Sequence, residues 1–272
     1  MGGAERAERK RRQQQRVTPV AAKRPPEPTD TDRRAKTKKI ALWAGAVVVI
    51  AALIGGGLLW TNAVKNETEG QVIPVRQTQS EATEQRDGVV VTTGAEDAPV
   101  TIDVYADFLC PACRAFEEQW GTKIADRVEA GELRVRRHMV PMLVEASDPP
   151  GYSLDAANAG LCAADGGEFI AFHDSLFAAQ PDEGKRGWDE GQLTTLGRDL
   201  GITGDGFATC VDSGRYDQQL TAEWAKVRAD TTLHRDLGQG PAFATPTVAG
   251  PDGVIDTAKQ DWLDSLIPDA KG

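Results

Sequence analysis

The sequence predicts an α/β domain in which a block of helices interrupts a mixed sheet, with one transmembrane helix ahead of the domain. Three observations predict this arrangement. An uncharged run occupies residues 40–60, and strand patterns at 89–91, 100–105 and 133–140 then surround one helical pattern. Helical periodicity continues over about 152–237 before strand patterns return. The length of 272 residues allows one such domain with appendages.

The N-terminal tail differs in charge from everything that follows it. Residues 1–39 contain 13 Lys and Arg residues and 5 Asp and Glu residues, a net charge of +8, whereas the rest of the chain carries −18. The tail has almost no large apolar side chain, so we expect it to be disordered. The acidic body argues against nucleic acid as a partner, because phosphate contacts need Lys and Arg.

The apolar run at residues 40–60 has 21 residues without a charge. A bilayer-spanning helix needs about 20 residues, so the run predicts a transmembrane helix in contact with membrane lipid. Basic residues are concentrated before the run, which places the tail in the cytoplasm and the body outside. The alternative is a cleaved signal peptide, but its apolar region would be shorter, about 7–15 residues, and its basic region short.

The segment at residues 61–87 is polar and lacks periodicity, so it is predicted to be a stalk between membrane and domain. The domain is predicted to cover residues 88–272. Its first half contains the stronger strand at 100–105, followed by a helix in which apolar residues recur every four positions. These apolar residues are Phe116, Trp120, Ile124 and Val128. With the strand at 133–140 they predict a βαβ unit, whose crossover is expected to be right-handed.

The second half of the domain begins with the helical block, which is predicted as an insertion at about 152–237. One helix of the block is expected to start after Asp189, a residue type that caps helix N-termini. A strand pattern returns at 245–249, and the Gly-Pro-Asp-Gly turn at 250–253 predicts a hairpin. A last helix is expected around Trp262 and Leu263. The strands on both sides of the insertion are predicted to meet in one mixed sheet.

The Cys-Pro-Ala-Cys motif carries the chemistry that the sequence predicts. Cys110 stands at the predicted N-terminus of a helix, where unpaired N–H groups and the helix dipole stabilise a thiolate. Cys113 is placed to resolve a mixed disulfide formed at Cys110. Pro111 suits the first helical turn because its missing N–H would be unpaired there anyway. We therefore predict Cys110 as the nucleophile and Cys113 as the resolving thiol, in chemistry that needs no cofactor.

Alternative interpretations of the four cysteines are a plain disulfide between Cys110 and Cys113, or a zinc site. Zinc would need two further ligands at suitable spacing, and Cys162 and Cys210 stand alone, so we expect no metal. These two residues lie on different segments of the helical block. We expect them to form a structural disulfide, with a second redox pair or shuttle as the alternative.

Two stretches of the chain resemble a known family. They are Tyr105-Ala-Asp-Phe-Leu-Cys-Pro-Ala-Cys-Arg-Ala-Phe-Glu117 and Ala244-Thr-Pro-Thr-Val248. Together they resemble the DsbA-like branch of the thioredoxin superfamily, and most of all its membrane-anchored actinobacterial members. The resemblance implies a thioredoxin fold with a helical insertion over roughly residues 88–268. It also implies that Pro246 is a cis-proline beside the two thiols, with Thr245 just before it, and that this backbone pairs with an extended substrate.

Two positions depart from the family pattern. DsbA has His between its cysteines where this chain has Ala112, so we expect a less extreme oxidant. Thioredoxin and DsbA carry a buried acid six residues before the nucleophile, and that position is Val104 here. Asp103 and Asp107 lie on either side of it, and the sequence leaves open whether either transfers protons.

The sequence favours an extracytoplasmic oxidase that donates the Cys110–Cys113 disulfide to reduced exported proteins. The resemblance implies reoxidation by a quinone-linked membrane partner of the DsbB or vitamin-K-epoxide-reductase type. One alternative is a reductase or isomerase, for example in cytochrome maturation. The other is a chaperone or binding module without redox turnover, against which the presence of both cysteines argues.

Overall fold

The computed structural model describes residues 65–76, 82–238 and 240–267. The predicted cytoplasmic tail at 1–39 and the predicted transmembrane helix at 40–60 lie outside these ranges. Within them, no helix combines the length and apolar character that crossing a membrane requires.

A six-stranded sheet forms the centre of the domain, in the order β1-β2-β4-β3-β7-β8. Strands β3 and β4 are parallel, and the other neighbours in this sheet are antiparallel. The predicted mixed sheet is therefore confirmed. Its strands are β1 (Glu84–Asp87), β2 (Val90–Thr93), β3 (Val100–Ala106), β4 (Leu133–Met139), β7 (Thr247–Gly250) and β8 (Gly253–Val254), while β5 (Arg235–Asp236) and β6 (Pro241–Ala242) form a separate pair.

One face of the sheet is covered by the helical segment between β3 and β4. It comprises α1 (Pro111–Phe116), a π-helical turn (Glu117–Gly121) and α2 (Thr122–Glu129). The apolar residues at every fourth position are buried against this face, together with Trp262 of α8 (Trp262–Leu266). A spacing of four exceeds the 3.6 residues of an α-helical turn, so the wider π turn helps to keep them on one side.

The helical insertion lies between β4 and β7. Its helices are α3 (Tyr152–Asp165), α4 (Phe169–Ala178), α5 (Glu190–Asp199), α6 (Asp205–Asp212) and α7 (Asp217–Ala229). Asp189 caps α5 as predicted: its Oδ1 accepts from the N–H of Gln192 at 2.8 Å, and Gln192 Oε1 accepts from the N–H of Asp189 at 3.0 Å. The insertion and the active-site turn share one apolar core around Phe108, Phe169 and Phe172.

The predicted stalk at 61–87 differs from the structure, because most of its described part packs on the domain. Ile73 is 1% exposed in the main core. The Gln192 amide donates to the carbonyls of Thr68 and Gln71 at 2.6 and 2.7 Å. Strand β1 pairs with β2, and Glu84 accepts from the first N–H groups of α4 at 2.8 and 2.9 Å. Apart from the buried Ile73, this polar segment is held by hydrogen bonds in which one partner is a backbone group, and such bonds leave no hydrophobic periodicity in a sequence.

Candidate active site at Cys110 and Cys113

Cys110 lies where β3 gives way to α1, at the N-cap position of the helix. Its carbonyl accepts from the N–H groups of Cys113 and Arg114 at 3.0 and 3.2 Å. Pro111 occupies the first helical position, as the sequence predicted. This local order places the Cys110 side chain beside the N-terminus of α1.

The two thiols are reduced in this structure and differ in accessibility. Cys110 is 6% exposed, whereas Cys113 is 0% exposed. Cys110 therefore keeps a small exposed surface, whereas Cys113 has none. This difference agrees with the predicted roles of attacking and resolving thiol.

The two thiols also differ in acidity. A hydrogen bond from the Cys113 thiol is the largest cause that lowers the pKa of Cys110 to about 6. Burial opposes it, and the Thr245 side chain and the N–H groups of Cys113 and Ala112 add to the lowering. Burial raises the pKa of Cys113 well above its ordinary value, and the neighbouring Cys110 raises it further. At neutral pH the pair therefore holds one thiolate and one proton-bearing thiol.

Thr245 and Pro246 form the second part of the site. The Thr245–Pro246 peptide bond is cis, as the family resemblance implied. The Cys110 thiol donates to the carbonyl oxygen of Thr245 across 3.5 Å. The register of β7 on β3, with Thr247 opposite Tyr105, brings this loop to the end of β3 from which the cysteines follow.

Asp107 is the carboxylate nearest in sequence to the active-site turn, and the structure buries it to 1% exposure. It accepts from the N–H groups of Leu109 and Leu143, each at 2.8 Å, and from the Ser153 hydroxyl at 2.6 Å. Burial outweighs these bonds and raises its pKa. Asp103 belongs to a different environment, where it pairs with His138 at 2.7 Å and Arg136 at 3.3 Å.

Gln180 is a residue of the site that sequence reasoning missed. Its side-chain amide donates to the carbonyl of Phe108 at 2.9 Å and to that of Cys110 at 3.0 Å. It follows α4, so the contact joins the helical insertion to the active-site turn. Neither spacing nor composition marks this glutamine, because the contact exists only once the insertion is folded onto the sheet.

Cys162 and Cys210 form a disulfide that joins α3 to α6. Each residue is 2% exposed, in the core of the insertion. The bond therefore lies among packed apolar side chains rather than on an accessible surface. Among the described residues, no group of three or more His, Cys, Asp or Glu side chains is arranged to hold a metal ion.

Two neighbouring thiols of unequal acidity and accessibility can exchange a disulfide with another protein, and on this fold that chemistry defines a protein thiol–disulfide oxidoreductase. Comparisons with known proteins agree with this assignment to the thiol–disulfide oxidoreductases. The family model described as thioredoxin, Thioredoxin_4, matches residues 86–235. The chain belongs to this thioredoxin family.

The curated relatives include proteins of quite different length. The serine/threonine-protein kinase PknE of Mycobacterium tuberculosis is 29% identical over 187 residues, which is 66% of this chain and 31% of the kinase. The chain thus spans less than a third of that relative. Disulfide bond formation protein D of Bacillus subtilis is 28% identical over 166 residues, covering 60% of this chain and 68% of that protein.

Solved structures similar to the chain confirm the resemblance to DsbA-like oxidoreductases of actinobacteria. The reduced form of the disulfide bond oxidoreductase DsbG from Mycobacterium tuberculosis has a TM-score of 0.55 at 28% identity, covering 72% of this chain and 91% of that one. Reduced DsbA from the same organism has a TM-score of 0.50 at 28% identity, and the match covers 65% of this chain and 85% of that DsbA chain.

Proposed function

We propose that this protein is a membrane-anchored, extracytoplasmic oxidase that donates a Cys110–Cys113 disulfide to reduced exported proteins. The observation that carries the proposal is the stabilised thiolate at Cys110, whose pKa is lowered to about 6. A thiolate stabilised by the fold lowers the free energy of the reduced form. A disulfide whose reduced form is stable is a stronger oxidant, so electrons pass from substrate thiols to this pair.

The reaction proceeds in two exchanges. A substrate thiolate attacks the sulfur of Cys110 in the disulfide form, and Cys113 leaves and takes up a proton, as its raised pKa favours. A second substrate thiolate then attacks the substrate sulfur of the mixed disulfide and releases Cys110 as a thiolate. The substrate loses two electrons and gains a disulfide, while one of its two thiol protons is bound at Cys113 and the other enters the solvent.

The Thr245–Pro246 loop is proposed to bind the extended substrate chain beside Cys110. The Thr245 carbonyl already lies next to the Cys110 sulfur, so a backbone paired with this loop would bring its cysteine to the point of attack. Ala112, in place of the His of DsbA, contributes no side-chain dipole. The domain is therefore proposed to be a milder oxidant than DsbA.

The cellular setting is proposed from the chain's charge distribution. The uncharged run at 40–60 serves as the anchor in membrane lipid, the basic tail lies in the cytoplasm and the acidic domain outside. Exported chains emerge there with free thiols. Turnover requires an oxidant, which is proposed to be a quinone-linked membrane protein of the DsbB or vitamin-K-epoxide-reductase type. The relative named disulfide bond formation protein D supports the oxidative direction.

An oxidation assay tests the proposed function. The full chain, purified in detergent and oxidised, is mixed with a reduced, unfolded ribonuclease, and the loss of substrate thiols is followed. One substrate disulfide per chain is expected, and Cys110→Ser should abolish the reaction. Rapid reduction of insulin by the reduced chain, with no loss of ribonuclease thiols to the oxidised one, would instead indicate a reductase.

Protease protection tests the proposed topology. Protease added to intact cells stripped of their wall should degrade the domain and leave the N-terminal tail intact. A cell lysed with detergent serves as the control in which both parts are digested. Degradation of the tail with protection of the domain would contradict the proposal.

A further inference from the structure

Gln180 connects the helical insertion to the active-site turn through both hydrogens of its amide. Its Nε2 donates to the carbonyls of Phe108 and Cys110, on either side of Leu109. The reverse orientation of the amide would set Oε1 against two carbonyl oxygens, so the bonding pattern fixes which end faces the turn. The residue is 7% exposed, so these bonds are shielded from water.

The carbonyl of Cys110 receives donors from two separate elements. The N–H groups of Cys113 and Arg114 bind it from within the helix, and Gln180 binds it from the insertion. Gln180 is itself held in place, since its backbone carbonyl accepts from the Arg114 guanidinium at 3.4 Å. A residue 70 positions away therefore joins the helix's own N–H groups in fixing the direction of the Cys110 carbonyl.

The oxygen of the Gln180 side-chain amide differs from the nitrogen in its hydrogen bonding. Its Oε1 is buried and has no hydrogen-bond partner within the part of the chain that the structure describes. The hydrogen bonds of this side chain are therefore concentrated on its nitrogen, which donates to both carbonyls of the turn.

We propose that Gln180 is a positioning residue for thiol–disulfide exchange, which holds the Phe108–Cys110 turn so that the N–H groups of the first helical turn face the Cys110 sulfur. Without the amide, two buried carbonyls lose a donor and the turn can rotate toward other partners. The N–H groups of Ala112 and Cys113 would then be less well aimed at the thiolate. The proposal rests on exchange at Cys110 but not on its direction.

The experiment compares two substitutions with a matched control in the full chain. Gln180→Leu and Gln180→Met remove the donor with little change of volume. Gln192→Leu is the control, because the Gln192 amide also donates to two carbonyls, those of Thr68 and Gln71, but caps a helix away from the thiols. For each variant, thiolate absorbance against pH gives the pKa of Cys110, and equilibration with glutathione gives the redox equilibrium constant. Thermal unfolding of the same variants measures their stability.

Both Gln180 variants are expected to raise the pKa of Cys110 by about one unit and to lower the glutathione equilibrium constant by about tenfold. Gln192→Leu should lower the unfolding temperature and leave both redox quantities unchanged. A folded Gln180 variant with wild-type values would overturn the proposal, as would an equal change in Gln192→Leu. If the wild-type chain itself fails to exchange with glutathione, the proposed function fails instead.

Discussion

The sulfur of Cys110 lies 3.5 Å from the carbonyl oxygen of Thr245, a residue 135 positions further along the chain. The two are brought together because β7, which follows the Thr245 loop, pairs with β3, which precedes the cysteines. The sheet therefore fixes the distance between the reactive sulfur and the loop proposed to bind substrate.

Removing the hydroxyl of Thr245 should change redox behaviour more than folding. Its buried hydroxyl has no other hydrogen-bond partner in the described part of the chain, so it can stabilise the nearby Cys110 thiolate, and valine has the same shape without the hydroxyl. We expect Thr245→Val to raise the pKa of Cys110 by up to about one unit, with stability changed by only about 1 kcal/mol. Thiolate absorbance against pH and denaturant unfolding measure the two effects. A large loss of stability with an unchanged pKa would contradict this role.

The reactivity of Cys110 should depend on pH as a thiolate does. The rate at which iodoacetamide alkylates Cys110 in the reduced chain should reach half its maximum near pH 6, the pKa that the fold gives Cys110. Cys113 should stay unmodified in the same range, because it is buried and its pKa is raised. Mass spectrometry of the alkylated peptides separates the two. Modification of Cys113 before Cys110 would exclude the assigned order of attack.

The stability of the reduced form should follow the same titration. The folded pKa of Cys110 lies below its ordinary value of 9.0, so ionisation stabilises the folded dithiol. This stabilisation is fully present above the ordinary pKa and is lost as the pH falls through about 6. The stability difference between the reduced wild type and Cys110→Ser should therefore grow from about pH 5 to about pH 8, by up to about 1.4 kcal/mol per unit. A difference that stays constant with pH would contradict the lowered pKa.

The two cysteine pairs should respond differently to reduction. In the oxidised chain, mild dithiothreitol is expected to reduce Cys110–Cys113 first and to leave the Cys162–Cys210 bond, which is buried in the insertion. Replacing Cys162 and Cys210 by Ala should cost about 2–4 kcal/mol of stability and leave most of the oxidase activity. Loss of activity at unchanged stability would support a shuttle instead.

The sequence predicted those parts of the fold and of the site that depend on local pattern. The alternation in β3, the helix after Cys113 and the turn at 250–253 all follow from residue types at short spacing. The position of Thr245 beside the thiols came from the family resemblance alone, since local pattern does not show which loop meets which helix.

The features that the sequence did not predict depend on packing between distant segments. Gln180 and Asp107 bond to backbone groups that become neighbours only in the folded domain. The segment at 65–76 was predicted to be a stalk because it is polar, yet it is held largely by hydrogen bonds to residues more than a hundred positions away. Patterns within a short window contain no information on such pairs.

The reduction potential of the Cys110–Cys113 pair tests the central claim most directly. The full chain in detergent is equilibrated with glutathione buffers, and the fractions of dithiol and disulfide are counted after alkylation. An oxidase with a stabilised thiolate should have a potential less negative than about −200 mV, between the values of about −120 mV for DsbA and about −270 mV for thioredoxin. A potential near that of thioredoxin, with Cys110 titrating at an ordinary cysteine pKa, would contradict the account and indicate a reductase.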